Sequence, residues 1–209
     1  MTHTSDQLRA VLSRPVLEVA PQLLGAHLRV GEVTVRLTEV EAYAGEQDPG
    51  SHAHRGRTPR TGVMFGPAGR LYCYLSYGVH TCANVVTGPD GEAAAVLLRA
   101  GEVVDGLALA RGRRPGARDR DLARGPGRLC RTLGVELAHD GADVCGDSGV
   151  TLTLPAEGEA EALRPRVRWG PRVGLSLAAD RPWRCWLAGE ETVSVYRRSP
   201  RATPIGNSG

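Results

Sequence analysis

Lysine is absent from this 209-residue chain, so all 26 basic residues are arginine. No side-chain amine can form a Schiff base, and a reaction needing an amine nucleophile would have to use the chain's own N-terminus. A run of about eighteen apolar residues, the length a membrane helix needs, is also missing. The opening M-T-H-T-S-D-Q-L-R-A lacks a basic region followed by an apolar one, so no secretory signal is expected. The five cysteines (Cys73, Cys82, Cys130, Cys145, Cys185) are odd in number, irregularly spaced and without a C-x-x-C pair. Reduced thiols in a cytoplasmic protein are the expectation. Neither a phosphate-cradling glycine loop nor a G-x-S-x-G elbow occurs. His52-x-His54 and His80-x-Cys82 lack the spacing of zinc frameworks, so no metal or other cofactor is expected. There is no internal repeat, clean linker or heptad pattern.

What is present begins with charge. The net charge is only +3, yet eight arginines stand against two aspartates between Arg111 and Arg131, while A-E-G-E-A-E at 156–161 is acidic. A basic stripe suits a polyanion such as nucleic acid; a solvated arginine-rich loop has the same composition.

The stretch from Val33 to Tyr43, V-T-V-R-L-T-E-V-E-A-Y, alternates with period two. Val33, Val35 and Leu37 share a face, and unbroken alternation adds Glu39, Glu41 and Tyr43 to it. Burying an ionised carboxylate without a partner is costly, so folding alone does not favour that arrangement, and such breaks in pattern tend to mark functional sites. The other reading is a bulge after Thr38, which would turn Val40 and Ala42 inward and put both acids in water.

Residues 6–24 read as two short helices interrupted by Pro15 and Pro21, with Asp6 a candidate cap. Residues 26–30 and 33–43 read as a hairpin, followed by a long polar segment at 44–62. Two strands at 69–86 turn near Ser76-Tyr77-Gly78-Val79, with Tyr72 and Tyr74 on one face and Tyr77 near the tip. A buried strand spans 94–100, helices are expected at 103–111 and 126–133, and short strands at 150–154, 166–169, 173–177, 185–188 and 192–197. The pattern implies one α+β domain over 1–209, with a mixed, mainly antiparallel sheet, flanking helices and a protruding hairpin. Residues 1–5 and 199–209 are expected to be peripheral.

Several residues stand out chemically. An aromatic at a hairpin tip, Tyr77, can wedge between base steps or fold back on the surface. Tyr43, His52 and Tyr74 could wall a flat slot that stacks on a base, each being otherwise a core or loop residue. Arg99 ends an apolar strand and needs a carboxylate, which Glu41 or Glu39 could supply.

Together these blocks resemble a known family. T-E-V-E-A-Y (38–43), H-A-H-R-G-R-T-P-R (52–60), V-M-F-G-P-A-G-R-L-Y-C-Y (63–74), Y-G-V-H-T-C-A-N-V-V (77–86) and A-V-L-L-R-A (95–100) are similar, in order, to the 3-methyladenine (alkyladenine) DNA glycosylases. Weaker echoes follow at 125–130 and 170–175. The resemblance implies a single-domain base excision repair enzyme that works as a monomer on double-stranded DNA containing damaged purines, inserts its hairpin into the minor groove, and flips the lesion out. It implies that Glu41 activates water, with Arg99 and a backbone carbonyl in the Arg172-Val173-Gly174 block, entered here as Val173, helping to hold that water. Tyr43, His52 and Tyr74 would sandwich the base, Asn84 would line the pocket and crowd the exocyclic amine of guanine, and Tyr77 would fill the gap in the stack. Ser76 and His80-Thr81 depart from bulkier residues often found there, and any phosphate-contacting lysines must be arginines here.

Extruding a nucleotide costs a few kcal/mol, less for damaged pairs. Glycosidic cleavage develops positive charge on the sugar, which a carboxylate can stabilise while taking a proton from water. Without lysine, a monofunctional hydrolase that leaves an abasic site and does not nick the strand is expected. The alternatives are a non-catalytic binder of distorted duplex DNA and, less well matched, a hydrolase of free nucleosides.

Overall fold

In the computed structural model, which describes residues 4–202, the chain forms one α+β domain. Residues 1–3 and 203–209 of the termini set aside above lie outside the described residues. Thr4 and Ser5 belong to the fold: Thr4, rather than Asp6, caps helix α1 (Ser5–Leu12) in a reciprocal box with Gln7. Helix α2 (Val16–Val19) and a 3-10 turn (Ala20–Leu23) follow, split where the prolines require. Then come strands β1 (His27–Val30), β2 (Val33–Tyr43), β3 (Leu71–Ser76), β4 (His80–Val86) and β5 (Ala95–Asp105), and helices α3 (Leu107–Arg113) and α4 (Pro126–Leu133). Strand β6 (Val150–Thr153), helix α5 (Glu157–Leu163) and strands β7 (Val167–Gly170) and β8 (Arg184–Leu187) complete the chain.

All pairings are antiparallel. The order is β3-β4-β5-β2-β1-β6, and β8, itself paired with β7, adds to the far half of β2. Helix α4 packs on β4 and β5. It buries Leu129, Cys130 and Leu133, and ends at Gly134, whose φ of 79° supplies the left-handed cap that favours glycine.

Strand β2 resolves the ambiguity of its own sequence. Val33, Val35 and Leu37 enter the main core, and so do Val40 and Ala42, so the inward parity changes between Leu37 and Val40. The ladder to β5 slips at the same point: Leu37 faces Gly101, Glu39 faces Ala100 and Val40 faces Leu98, leaving Thr38 and Arg99 as the extra residues on their strands. Gly101 is needed here, because a Cβ would sit 2.3 Å from Val35 Cγ1. The bulge reading is therefore right about geometry and wrong about environment. Glu39 and Glu41 lie on the face opposite the core, yet both are fully buried there.

Two expected strands do not form. Residues 173–177 and 192–197 are irregular, because backbone groups that would build a ladder are used elsewhere: the Val173 amide binds Glu41 and the Ser194 amide binds Glu39. The helix expected from 103 begins at Leu107, since β5 continues beside β2 to Asp105.

Candidate active site

Glu41 projects from the polar face of β2 and is held from three directions. Its Oε1 accepts the Val173 N–H at 2.7 Å and lies 3.3 Å from Arg99 Nη1; its Oε2 accepts the Tyr43 hydroxyl at 2.7 Å. Each oxygen therefore accepts one hydrogen bond, and Oε1 also has the Arg99 charge beside it, so Oε2 is the freer of the two to take a further donor. Glu39 lies alongside. It accepts Arg99 Nε at 3.0 Å, Arg184 Nη1 at 3.1 Å, Ser194 Oγ at 2.9 Å and the Ser194 N–H at 2.6 Å. Arg99 thus bridges both acids. Burial opposes its charge, but Glu41 and Glu39 outweigh that, and its pKa is raised. The Tyr43 hydroxyl is pushed well above its ordinary value, by burial first and then by the Glu41 carboxylate, so it remains a donor.

Next to Tyr43 is a pocket of about 380 Å³ including its open mouth. Tyr43, His52, Tyr74 and Asn84 line it, joined by Tyr72, Met64 and Leu175. Strand alternation brings Tyr72 and Tyr74 to one face, where the rings stack at 5.7 Å. The Tyr72 hydroxyl lies 3.2 Å from His52 Nδ1, and His52 stands edge-on to Tyr74 at 4.5 Å. Asn84 donates its amide to the Tyr72 carbonyl at 3.1 Å, which fixes the head group at the pocket wall. His52 is exposed as a residue, although its ring packs against Tyr74 and the Tyr72 hydroxyl. Loss of water around the packed ring, and then the Arg60 charge, lower its pKa to about 4. The ring is therefore neutral at pH 7 and does not repel a cationic guest. In an NMR titration its midpoint should fall well below the free-histidine value of about 6.5. The unfolded chain takes this proton at higher pH than the folded one, so stability tied to His52 is complete above about 6.5 and declines as pH falls through that value toward the folded pKa.

The pocket depends on a residue pair that sequence reasoning missed. Asp48 and Arg172 are both fully buried and paired, Arg172 Nη2 donating to Asp48 Oδ1 at 2.8 Å. Arg172 also donates to the Ala42 carbonyl at 3.0 Å and lies between the rings of Tyr43 (4.6 Å) and Trp183 (5.1 Å). The pair ties the loop carrying Gly50, Ser51 and His52 to the segment carrying Val173 and Leu175. A Cβ at Gly50 would approach Arg172 Nη2 to 2.7 Å, so glycine is what lets the two segments close.

Tyr77 sits at the tip of the β3–β4 hairpin, 93% exposed, with φ of 52°. A non-glycine residue in that region costs of order 1–3 kcal/mol, a kind of strain found often at functional sites. Beside the hairpin runs a groove lined by Tyr77, His80, Arg114, Arg124 and Arg128, where the N-terminal turn of α4 begins. The 111–131 stripe is only partly available to a polyanion. Arg111 pairs with Asp119 and Arg118 with Asp121, while Arg113 and Arg114 hold backbone carbonyls. Arg55, Arg57 and Arg60 are exposed, Arg60 lying over the Tyr74 ring at 5.6 Å. Among the described residues no cluster of three or more potential metal ligands occurs, and no helix is long and apolar enough to cross a membrane.

Residues 10–191 match the family model described as methylpurine-DNA glycosylase (MPG). Proteins of Frankia casuarinae and Nocardia farcinica are each 56% identical, over 90% and 92% of this chain and 92% and 95% of their own. A Mycobacterium leprae protein is 51% identical over 98% of this chain and 94% of its own. All three bear the name "Putative 3-methyladenine DNA glycosylase".

Proposed function

The chain belongs to the methylpurine-DNA glycosylase family, and from that premise we propose that it flips damaged purines out of duplex DNA and hydrolyses their N-glycosidic bond with water activated by Glu41. One observation carries the reading. A fully buried carboxylate, pinned by Val173, Arg99 and Tyr43, adjoins a pocket walled by Tyr43, His52 and Tyr74.

In this mechanism the everted base enters between Tyr43 and the His52–Tyr74 wall, and the sugar comes to Glu41. Oε2, the freer oxygen, takes the proton of the attacking water, while the carboxylate stabilises the positive charge growing on the sugar. Arg99 and the Val173 amide hold Oε1, so the carboxylate need not reorganise as the bond breaks. The Val173 carbonyl is assigned the second contact to water. Asn84 presents its fixed amide to the base edge and disfavours guanine. Tyr77 enters the minor groove and restacks the gap, offsetting part of the extrusion cost. Exposed arginines of the 55–60 loop and the hairpin groove supply sequence-independent contacts to phosphate. The protein acts as a monomer in the bacterial cytoplasm, where its five free cysteines would stay reduced. It ends the reaction at an abasic site, a reading supported by the absence of any lysine side chain to form the Schiff base that opens the sugar.

The test is release of free base from duplexes carrying hypoxanthine or 3-methyladenine, followed by a check that the strand stays intact until alkali is added. Release without nicking is the expected result. Tight binding of the lesion duplexes with no release would favour the non-catalytic binder, and strand cleavage without alkali would overturn the monofunctional assignment.

A further inference from the structure

We propose that Glu39 is a positioning residue for Glu41, which divides the Arg99 guanidinium between the two acids and so sets how firmly Glu41 keeps its charge. This rests on the function proposed above. Glu39 lines no part of the pocket and is fully buried, a costly place for a carboxylate unless it is paired. Four donors converge on it, two of them guanidinium groups. Arg99 gives Nε to Glu39 at 3.0 Å and has Nη1 3.3 Å from Glu41, so one rigid fork spans both carboxylates. The paired slips in β2 and β5 make this possible, since they leave Arg99 unopposed in the ladder and both acids on its side.

The cluster is charge-balanced: Glu39 and Glu41 from β2, Arg99 from β5 and Arg184 from β8. Arg172, over the Tyr43 ring, is neutralised by Asp48, and the Cys185 thiol of β8 is held protonated by burial and by the two acids. Removing Glu39's charge leaves two guanidinium groups facing Glu41 alone. Removing Arg184's charge draws Arg99 toward Glu39 and loosens its hold on Glu41.

The experiment measures single-turnover base release from a hypoxanthine duplex against pH, for wild type, Glu39→Gln and Arg184→Gln. For Glu39→Gln the acid limb should move down by about one pH unit, and the plateau should fall because the base is weaker. For Arg184→Gln the limb should move up by about the same amount. Opposite displacements are not what a structural role predicts, since loss of folded enzyme lowers amplitude without moving a limb. An active wild type, with both limbs unmoved in folded variants, overturns this inference alone. If Glu39→Gln does not fold, an unmoved limb in Arg184→Gln overturns it. A wild type that releases no base overturns the glycosylase reading and this inference with it.

Discussion

Glu41→Gln should bind lesion-containing duplex as wild type does and release base about 10²–10⁴-fold more slowly, the usual range for loss of a general base. The substitution is nearly isosteric. The glutamine carbonyl can still accept the Val173 N–H now made to Oε1, and the Tyr43 hydroxyl, now a donor to Oε2, can turn to accept from the new amide. What disappears is the ability to take a proton and the negative charge beside the sugar. Arg99 keeps Glu39 as a partner, so the variant is not left with an unpaired buried guanidinium. Single-turnover release and fluorescence-detected binding, measured together, separate the two effects. Turnover within tenfold of wild type would remove Glu41 from the assigned role.

Asp48→Ala should be the most destabilising single substitution near the site. It leaves Arg172 fully buried between two aromatic rings with no carboxylate, and breaking such a pair from one side costs roughly 3–5 kcal/mol. For a chain of this size that corresponds to a melting temperature lower by roughly 10 °C. Two walls of the pocket separate as well, because the pair is what joins the Gly50–His52 loop to the Val173–Leu175 segment. Asp48→Asn keeps an acceptor for one guanidinium N–H and should lose less. Thermal and urea unfolding check both values; a Tm change below 2 °C for the alanine variant would show that Arg172 finds another partner. Protein that remains folded should also have lost lesion affinity, since the pocket wall no longer closes.

Much of this arrangement was legible in the residues. Alternation places Tyr72 with Tyr74, turn chemistry puts Tyr77 at the tip, and the helix expected at 126–133 forms as α4. The need of Arg99 for a carboxylate was readable from its apolar neighbours, although not that it would take both acids. The fate of Glu39 and Glu41 was undecided because a parity change and continued alternation use the same letters. It is settled by strand β8 and the segments at 171–175 and 192–194, which lie far along the chain. The pairing of Asp48 with Arg172 was invisible for the same reason: each stands in a stretch with glycine and proline and no periodic pattern, and only contact across 124 positions turns them into a buried pair. The strands expected at 173–177 and 192–197 failed because periodicity registers side chains, whereas these segments are shaped by what their amides bind.

The slip at Thr38 gives one continuous strand two allegiances, an oily interior on one flank and a charged vestibule on the other. Such a strand can be altered letter by letter, but its length between Leu37 and Val40 cannot change. One residue more or fewer would send valine into the vestibule and glutamate into the oil, so both the fold and its chemistry would be lost in the same step. Where this enzyme can vary in length is therefore in its outer loops, and Thr38 is the hinge pin that does not move.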